Sequence, residues 1–220
     1  MVNYDMVRNN EDIKVYIKGA DATLAALGYT EHSFAHVGRV ADVAAKILSE
    51  LGYGERMAEL ARIAGYLHDI GNLVNRVEHS QSGAVMAFRI LDKMGMSAEE
   101  IALVVSAIGN HDEGEGVPVN QVAAALILAD KSDVRRSRVR NSDISSFDIH
   151  DRVNYSAESS EITVCREDKE IRLSLTIDTG ISSIMDYFEI FLGRMQLCKK
   201  AAEKLGMSFR LGINGQQFIT

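Results

Sequence analysis

Four histidines and two aspartates occur in a fixed order along the chain: His36, His68-Asp69, His79, His111 and Asp130. Imidazole nitrogens and carboxylate oxygens are the ligands that divalent transition metals take. Six such groups are enough for two ions that share a carboxylate. The adjacent His68-Asp69 pair is the pivot, because neighbouring residues leaving a helix end reach one ion or two adjacent ones. Asp130 ends a run, Val119 to Ala129, that is almost wholly apolar. A carboxylate in such surroundings costs several kcal/mol unless it is paired or bound to a metal. Lys131 follows it, but neighbours on a helix point in different directions, which leaves a metal as the better partner. His68-Asp69 closes a second apolar run, Ala61 to Leu67, with Gly71 beyond it as a helix stop. Taken singly, each residue has a plainer reading: His79 as a surface or core histidine, His68-Asp69 as a helix C-terminus, Asp130 as a buried salt bridge. The ordered combination is what points to a metal centre.

These groups need elements to hold them. Apolar periodicity predicts helices over roughly 10–27, 31–51, 55–68, 80–95, 98–110 and 119–133. Gly28 and Gly52 fall where helix C-termini end, and Ser97 with Glu100 is a capping-box pattern. After Asn141 the pattern changes. Ile162 and Val164, then Ile171, Leu173, Leu175 and Ile177, alternate with polar residues around Glu167-Asp168-Lys169-Glu170, which reads as a β-hairpin. Apolar residues from Ile181 to Leu205 recur at helical spacing, and Phe209, Leu211 and Ile213 suggest a last strand. The predicted fold class is mainly α: a helical bundle over 1–140, with a small α+β (ββαβ) extension over 141–220 packed on it.

Phosphate-binding cations are the next expectation. Arg39 lies three residues after His36, on nearly the same helix face. Lys131 and Arg136 lie close to Asp130, and arginine forks suit phosphate oxygens. Arg39, Lys131 and Arg136 are therefore the candidate substrate-binding residues. Arg138 and Arg140 read as a solvated helix end and His150 as structural, while Asp133, one turn after Asp130, either supports the metal ligands or is a helix-surface carboxylate. His32 either faces the pocket or lies on the surface of a first helical turn. Glu113-Gly114-Glu115-Gly116 reads as a loop near the metal.

The 220 residues are 46% hydrophobic and 25% charged, as in an ordinary folded domain. A net charge of −7 makes a broad nucleic-acid surface an unlikely expectation. No apolar run is long enough for a bilayer, the N-terminus lacks a secretory core, and Cys165 and Cys198 form no framework. A cytoplasmic protein is expected.

His36-Val37-Gly38-Arg39-Val40-Ala41, Leu67-His68-Asp69-Ile70-Gly71 and Leu128-Ala129-Asp130-Lys131 together resemble the HD superfamily of metal-dependent phosphohydrolases, over roughly residues 30–135. The resemblance implies an all-helical core with divalent metal at its centre, two ions of Fe, Mn, Ni, Co, Zn or Mg. It implies a first site of His36, His68, Asp69 and Asp130, and a second of Asp69, His79 and His111, with Asp69 bridging. Asn72 stands where many members with an extended motif carry lysine, and Asp112 where some carry histidine. These departures count against a cyclic-dinucleotide phosphodiesterase and a third metal. The implied reaction is attack of a metal-bound hydroxide on a small phosphorylated substrate, a phosphate ester or anhydride with a nucleotide favoured, with Asp69 and His68 as catalytic residues. Two readings compete: a di-iron oxygenase with the same ligand order, and a nucleotide-binding regulatory module without turnover. A homodimer through the hairpin is compatible with all three.

Overall fold

Side-chain caps set the ends of the helices that carry the site. The computed structural model describes residues 1–219. Asn3 and Asn10 accept backbone N–H bonds at the starts of α1 (Tyr4–Arg8) and α2 (Glu11–Ala26). Ser33 opens α3 (Phe34–Leu51), which Gly52 closes in the left-handed conformation at φ 82°. α4 (Glu55–Leu67) runs into a 3-10 turn at Ile70–Leu73, and α5 (His79–Lys93) follows. Ser97 caps α6 (Ala98–Gly109) through its hydroxyl. The reciprocal half of the expected capping box is replaced, because Glu100 accepts from Nε and Nη2 along one edge of the Arg56 guanidinium at 2.7 and 2.6 Å. α7 (Gln121–Lys131) is buried on every side, with Val122 to Ala129 at most 1% exposed.

Two glycines let these helices converge. A Cβ on Gly65 would lie 2.7 Å from the Ala41 Cα, so α4 and α3 touch backbone to backbone. A Cβ on Gly71 would lie 2.0 Å from the His79 carbonyl oxygen and 2.4 Å from the Gly83 nitrogen. His68-Asp69 is thereby held against α3 on one side and the start of α5 on the other.

After 3-10 turns at Arg136–Arg138 and Ile144–Ser146, α8 (Ile149–Ser156) leads into β1 (Ala157–Cys165) and β2 (Glu170–Ile177), the expected antiparallel hairpin. α9 (Ile184–Lys204) carries the chain across to β3 (Ser208–Ile213), parallel to β2. A fourth strand, β4 (Gln216–Ile219), pairs with β3. It extends the expected ββαβ unit, and its signal was the Asn214-Gly215 turn, whose residues have φ 50° and 80°. α9 packs on α7 as well as on β2 and β3, and one apolar core runs from Val2 to Ile213. At 59% helix with a small C-terminal sheet, the fold is mainly α with an α+β extension. No helix among the described residues is long and apolar enough to cross a membrane.

Candidate metal centre

Five segments deliver the six residues to one buried point. His36 lies in the first turn of α3, His68 caps α4, Asp69 follows it, His79 begins α5, His111 follows α6, and Asp130 sits in the last turn of α7. The four histidines are at most 1% exposed and Asp69 is 5% exposed.

Each imidazole is anchored through Nδ1. His36 Nδ1 lies 2.7 Å from Asp133 Oδ2, His68 Nδ1 2.8 Å from the Gly65 carbonyl, His79 Nδ1 3.1 Å from the Arg76 carbonyl, and His111 Nδ1 2.6 Å from the Ile108 carbonyl. An Nδ1–H donating to such an acceptor fixes the tautomer and leaves the Nε2 lone pair free, as a metal-ligating histidine requires. The four Nε2 atoms point inward, with 3.3 Å between those of His36 and His68 and 3.2 Å between those of His79 and His111. In the metal-free chain a proton on His36 fills the first pair and Arg76 Nη1, 3.2 Å from His79 Nε2, faces the second, and a metal would take the place of these donors.

The carboxylates divide the centre into two lobes. In one, Asp69 Oδ2 lies 3.4 Å from His36 Nε2 and 3.1 Å from His68 Nε2, and Asp130 Oδ1 lies 3.4 and 3.7 Å from the same atoms. In the other, Asp69 Oδ1 lies 3.4 Å from His79 Nε2. Donors bonded at about 2.1 Å to one ion sit about 3.0–3.4 Å apart in octahedral or tetrahedral geometry. The residues present therefore fit divalent metal. Asn72 donates from Nδ2 to Asp69 Oδ1 at 2.9 Å and orients the shared carboxylate.

Residues 33–189 match the HD domain family. The chain belongs to that family. HD proteins are generally hydrolases, and the family implies divalent metal binding, which the histidine and aspartate clusters fit. The chain is also similar to an uncharacterized protein of Methanocaldococcus jannaschii, with 28% identity covering 83% of this chain and 80% of that one. It is 28% identical to ribonuclease Y of Aster yellows witches'-broom phytoplasma over 55% of this chain, a stretch that spans 21% of that protein.

The electrostatics of the HD centre are those of a cation site. Burial pushes the Asp69 and Asp130 carboxyls up, but nearby histidines and Lys131 outweigh it, and both are held well below the usual carboxylate range. Burial and Arg138 push the His36 imidazole down, while hydrogen bonds to Asp130, Asp133 and Asp69 more than offset them and raise it to about 10. His111, buried near other cationic groups, is lowered to about 3. A metal replacing the His36 proton gains as pH rises. Because the folded His36 value is raised, its charge stabilises the metal-free chain fully below about pH 6.5 and is lost as pH climbs through about 10. The rise in melting temperature on adding Mn²⁺ should therefore grow between pH 6.5 and 9. A rise that shrinks over that range would contradict the assignment.

The structure settles or overturns the sequence readings of several surrounding residues. Asp133 is 2% exposed, and it orients His36 rather than facing solvent. Arg135 and Arg39 hold its other oxygen at 2.9 and 3.2 Å. Asp133→Ala should weaken Mn²⁺ binding by about 10–100-fold, measured by calorimetric titration. Lys131 curls back despite its adjacency, so that Nζ lies 2.8 Å from Asp130 Oδ2. Arg138 is buried, donating to the Asp133 and Glu31 carbonyls.

A narrow space of about 20 Å³ at the metal centre is lined by Asp69, His79, His111 and Asp130 together with Lys131, Arg76, Arg138 and Arg194. His32, Arg76, Arg138 and Arg194 also line a cavity of about 500 Å³ beyond it, whose walls include Tyr29, His150 and Phe191. Lys131 thus lines the inner space. Arg39 instead donates to the Ser160 carbonyl at 2.9 Å, joining α3 to β1. Arg136 stacks on Tyr155 and donates to its carbonyl at 2.6 Å. Neither Arg39 nor Arg136 is among the residues lining the two spaces. Arg194 carried no sequence signal, being distant from the ordered motif, whereas Arg76 stands three residues before His79 and its nearness was the missed signal.

Proposed function

We propose that this protein is a metal-dependent phosphohydrolase that holds two divalent ions, shared through Asp69, and cleaves a small phosphate ester or anhydride, with a nucleotide as the favoured substrate. The observation that carries the reading is the two-lobed donor set, with four anchored imidazoles aimed at Asp69 and Asp130, opening onto a space lined by four cationic side chains. When bound, divalent ions polarise phosphoryl oxygens and lower the pKa of a bound water towards neutral.

The chain's own residues complete the chemistry. Asp69, oriented by Asn72, holds its two oxygens towards different lobes, and His68 fixes the first lobe through its bond to Gly65. Lys131 and the arginines neutralise phosphate oxygens. Tyr29, Leu27 and Phe191, with Asp148 and Asn154 nearby, give the outer cavity the mixed wall that a base and ribose would use. No nucleophilic side chain is needed. The buried Cys198 is a poor one, because burial pushes its thiol up to about 12. Iodoacetamide at pH 8 on the folded protein should therefore label Cys165 and spare Cys198, read by peptide mass spectrometry.

The likeness to ribonuclease Y favours an RNA phosphodiester as the second reading. The test is phosphate release from a nucleotide panel by protein loaded with Mn²⁺, Fe²⁺, Co²⁺, Ni²⁺, Zn²⁺ or Mg²⁺. An oligoribonucleotide is included, with cleavage read as shortened fragments because a cut phosphodiester frees no inorganic phosphate, and O₂ uptake is followed in the iron sample. Release with at least one metal supports hydrolysis. O₂ uptake without release would overturn it in favour of an oxygenase, and tight nucleotide binding without turnover would favour a regulatory module.

A further inference from the structure

Glu113 stands on the loop between α6 and α7, and its carboxylate lies between two cations from distant parts of the chain. Lys131 Nζ lies 2.5 Å from Oε2, and Arg194 Nε donates to Oε1 at 2.8 Å. Each cation is held independently of Glu113. Lys131 is 4% exposed and tied to Asp130, while Arg194 rises from α9 and stacks over the Phe191 ring at 4.3 Å. Two fixed cations on opposite sides of one point form a grip for an oxyanion.

The carboxylate fills that grip imperfectly. Glu113 Oε2 is buried and meets Lys131 Nζ at 2.5 Å, but makes no well-angled hydrogen bond. The grip adjoins Asp130, and Arg194 lines both the inner space and the outer cavity. An anion entering from the cavity reaches it beside the metal centre.

We propose that Lys131 and Arg194 form a subsite for a second phosphoryl group, adjacent to the one held at Asp69 and Asp130, and that Glu113 occupies this subsite until substrate displaces it. The proposal rests on the phosphohydrolase reading and narrows it to substrates with two neighbouring phosphoryl groups. It makes Arg194, in the C-terminal extension, a specificity-determining residue. It also distinguishes Glu113 from a structural strap. Removing a competitor's charge tightens anion binding, whereas removing a strap loosens the subsite.

The test is calorimetric titration of the Mg²⁺-saturated protein with methylenediphosphonate, whose P–C–P link is not hydrolysed, and with inorganic phosphate. Wild type should bind the diphosphonate at least about tenfold tighter than phosphate. Arg194→Gln should erase that preference, and Glu113→Gln should tighten diphosphonate binding several-fold. A folded Arg194→Gln variant with the wild-type preference would overturn the proposal, as would a Glu113→Gln variant that fails to tighten binding. If Arg194→Gln does not fold, Glu113→Gln decides alone. No bond is cleaved in this assay, so a protein without phosphatase activity can still show the pattern. Absence of the pattern in an active enzyme would remove only the subsite.

Discussion

Replacing Asp69 with asparagine is expected to abolish metal-dependent turnover and to weaken metal binding by at least about 100-fold, since even partners that merely orient a ligand are worth 10–100-fold. Among the described residues, Asp69 is the one whose two oxygens face different lobes, at 3.1 and 3.4 Å from His68 and His36 and at 3.4 Å from His79. An amide keeps the shape but offers one neutral acceptor and a donor nitrogen. One of its two ends then presents N–H groups to an inward-facing Nε2, the second lobe loses the carboxylate facing His79, and the first keeps only Asp130. Metal analysis after desalting, set beside turnover of the same samples, reads both effects. Stoichiometric metal in the variant would contradict the placement of Asp69 between two sites.

The second large effect is structural. Gly71→Ala should lower stability by about 3 kcal/mol, or roughly 10 °C in melting temperature for a chain of this size. The added Cβ would meet the His79 carbonyl at 2.0 Å and the Gly83 nitrogen at 2.4 Å, and both are backbone atoms that no side-chain rotation can clear. Relief requires α5 to withdraw, which carries His79 away from Asp69, so metal uptake should fall together with the melting temperature. Gly38→Ala is the matched control. Nothing lies within 4 Å of its Cβ position, and an alanine inside α3 should be neutral or stabilise by about 0.5–1 kcal/mol. Equal melting temperatures for Gly71→Ala and wild type would sink the argument.

Much of the bundle was legible because its signals are local. Helical apolar periodicity, Gly52 and Ser97 placed the helices, and the uninterrupted apolar stretch before Asp130 announced a helix buried all round. The ordered histidines and aspartates announced a shared centre, and the structure brings all six together. What the sequence withheld depends on the third dimension. Asp133 looks like any carboxylate one turn after Asp130, yet the approach of α3 makes it the partner of His36 Nδ1. Arg138 looks like a solvated helix end, yet the turn after α7 folds it inward. Arg76 and Arg194 belong to the cavity only because the segment before α5 and the middle of α9 come together there, and no periodicity encodes that packing. Arg39 and Arg136 were chosen by nearness in sequence, yet Arg136 ties α8 to the bundle and Arg39 ties β1 to it while also steadying Asp133 behind His36.

The most direct test is anomalous X-ray scattering from crystals grown in excess Mn²⁺. Two peaks are expected about 3.5–4 Å apart, one against His36, His68 and Asp130, the other against His79 and His111, with Asp69 touching both. Metal-replete crystals with no peak at bonding distance from Asp69, or with a single peak and the second lobe empty, would contradict a two-metal centre built on that carboxylate.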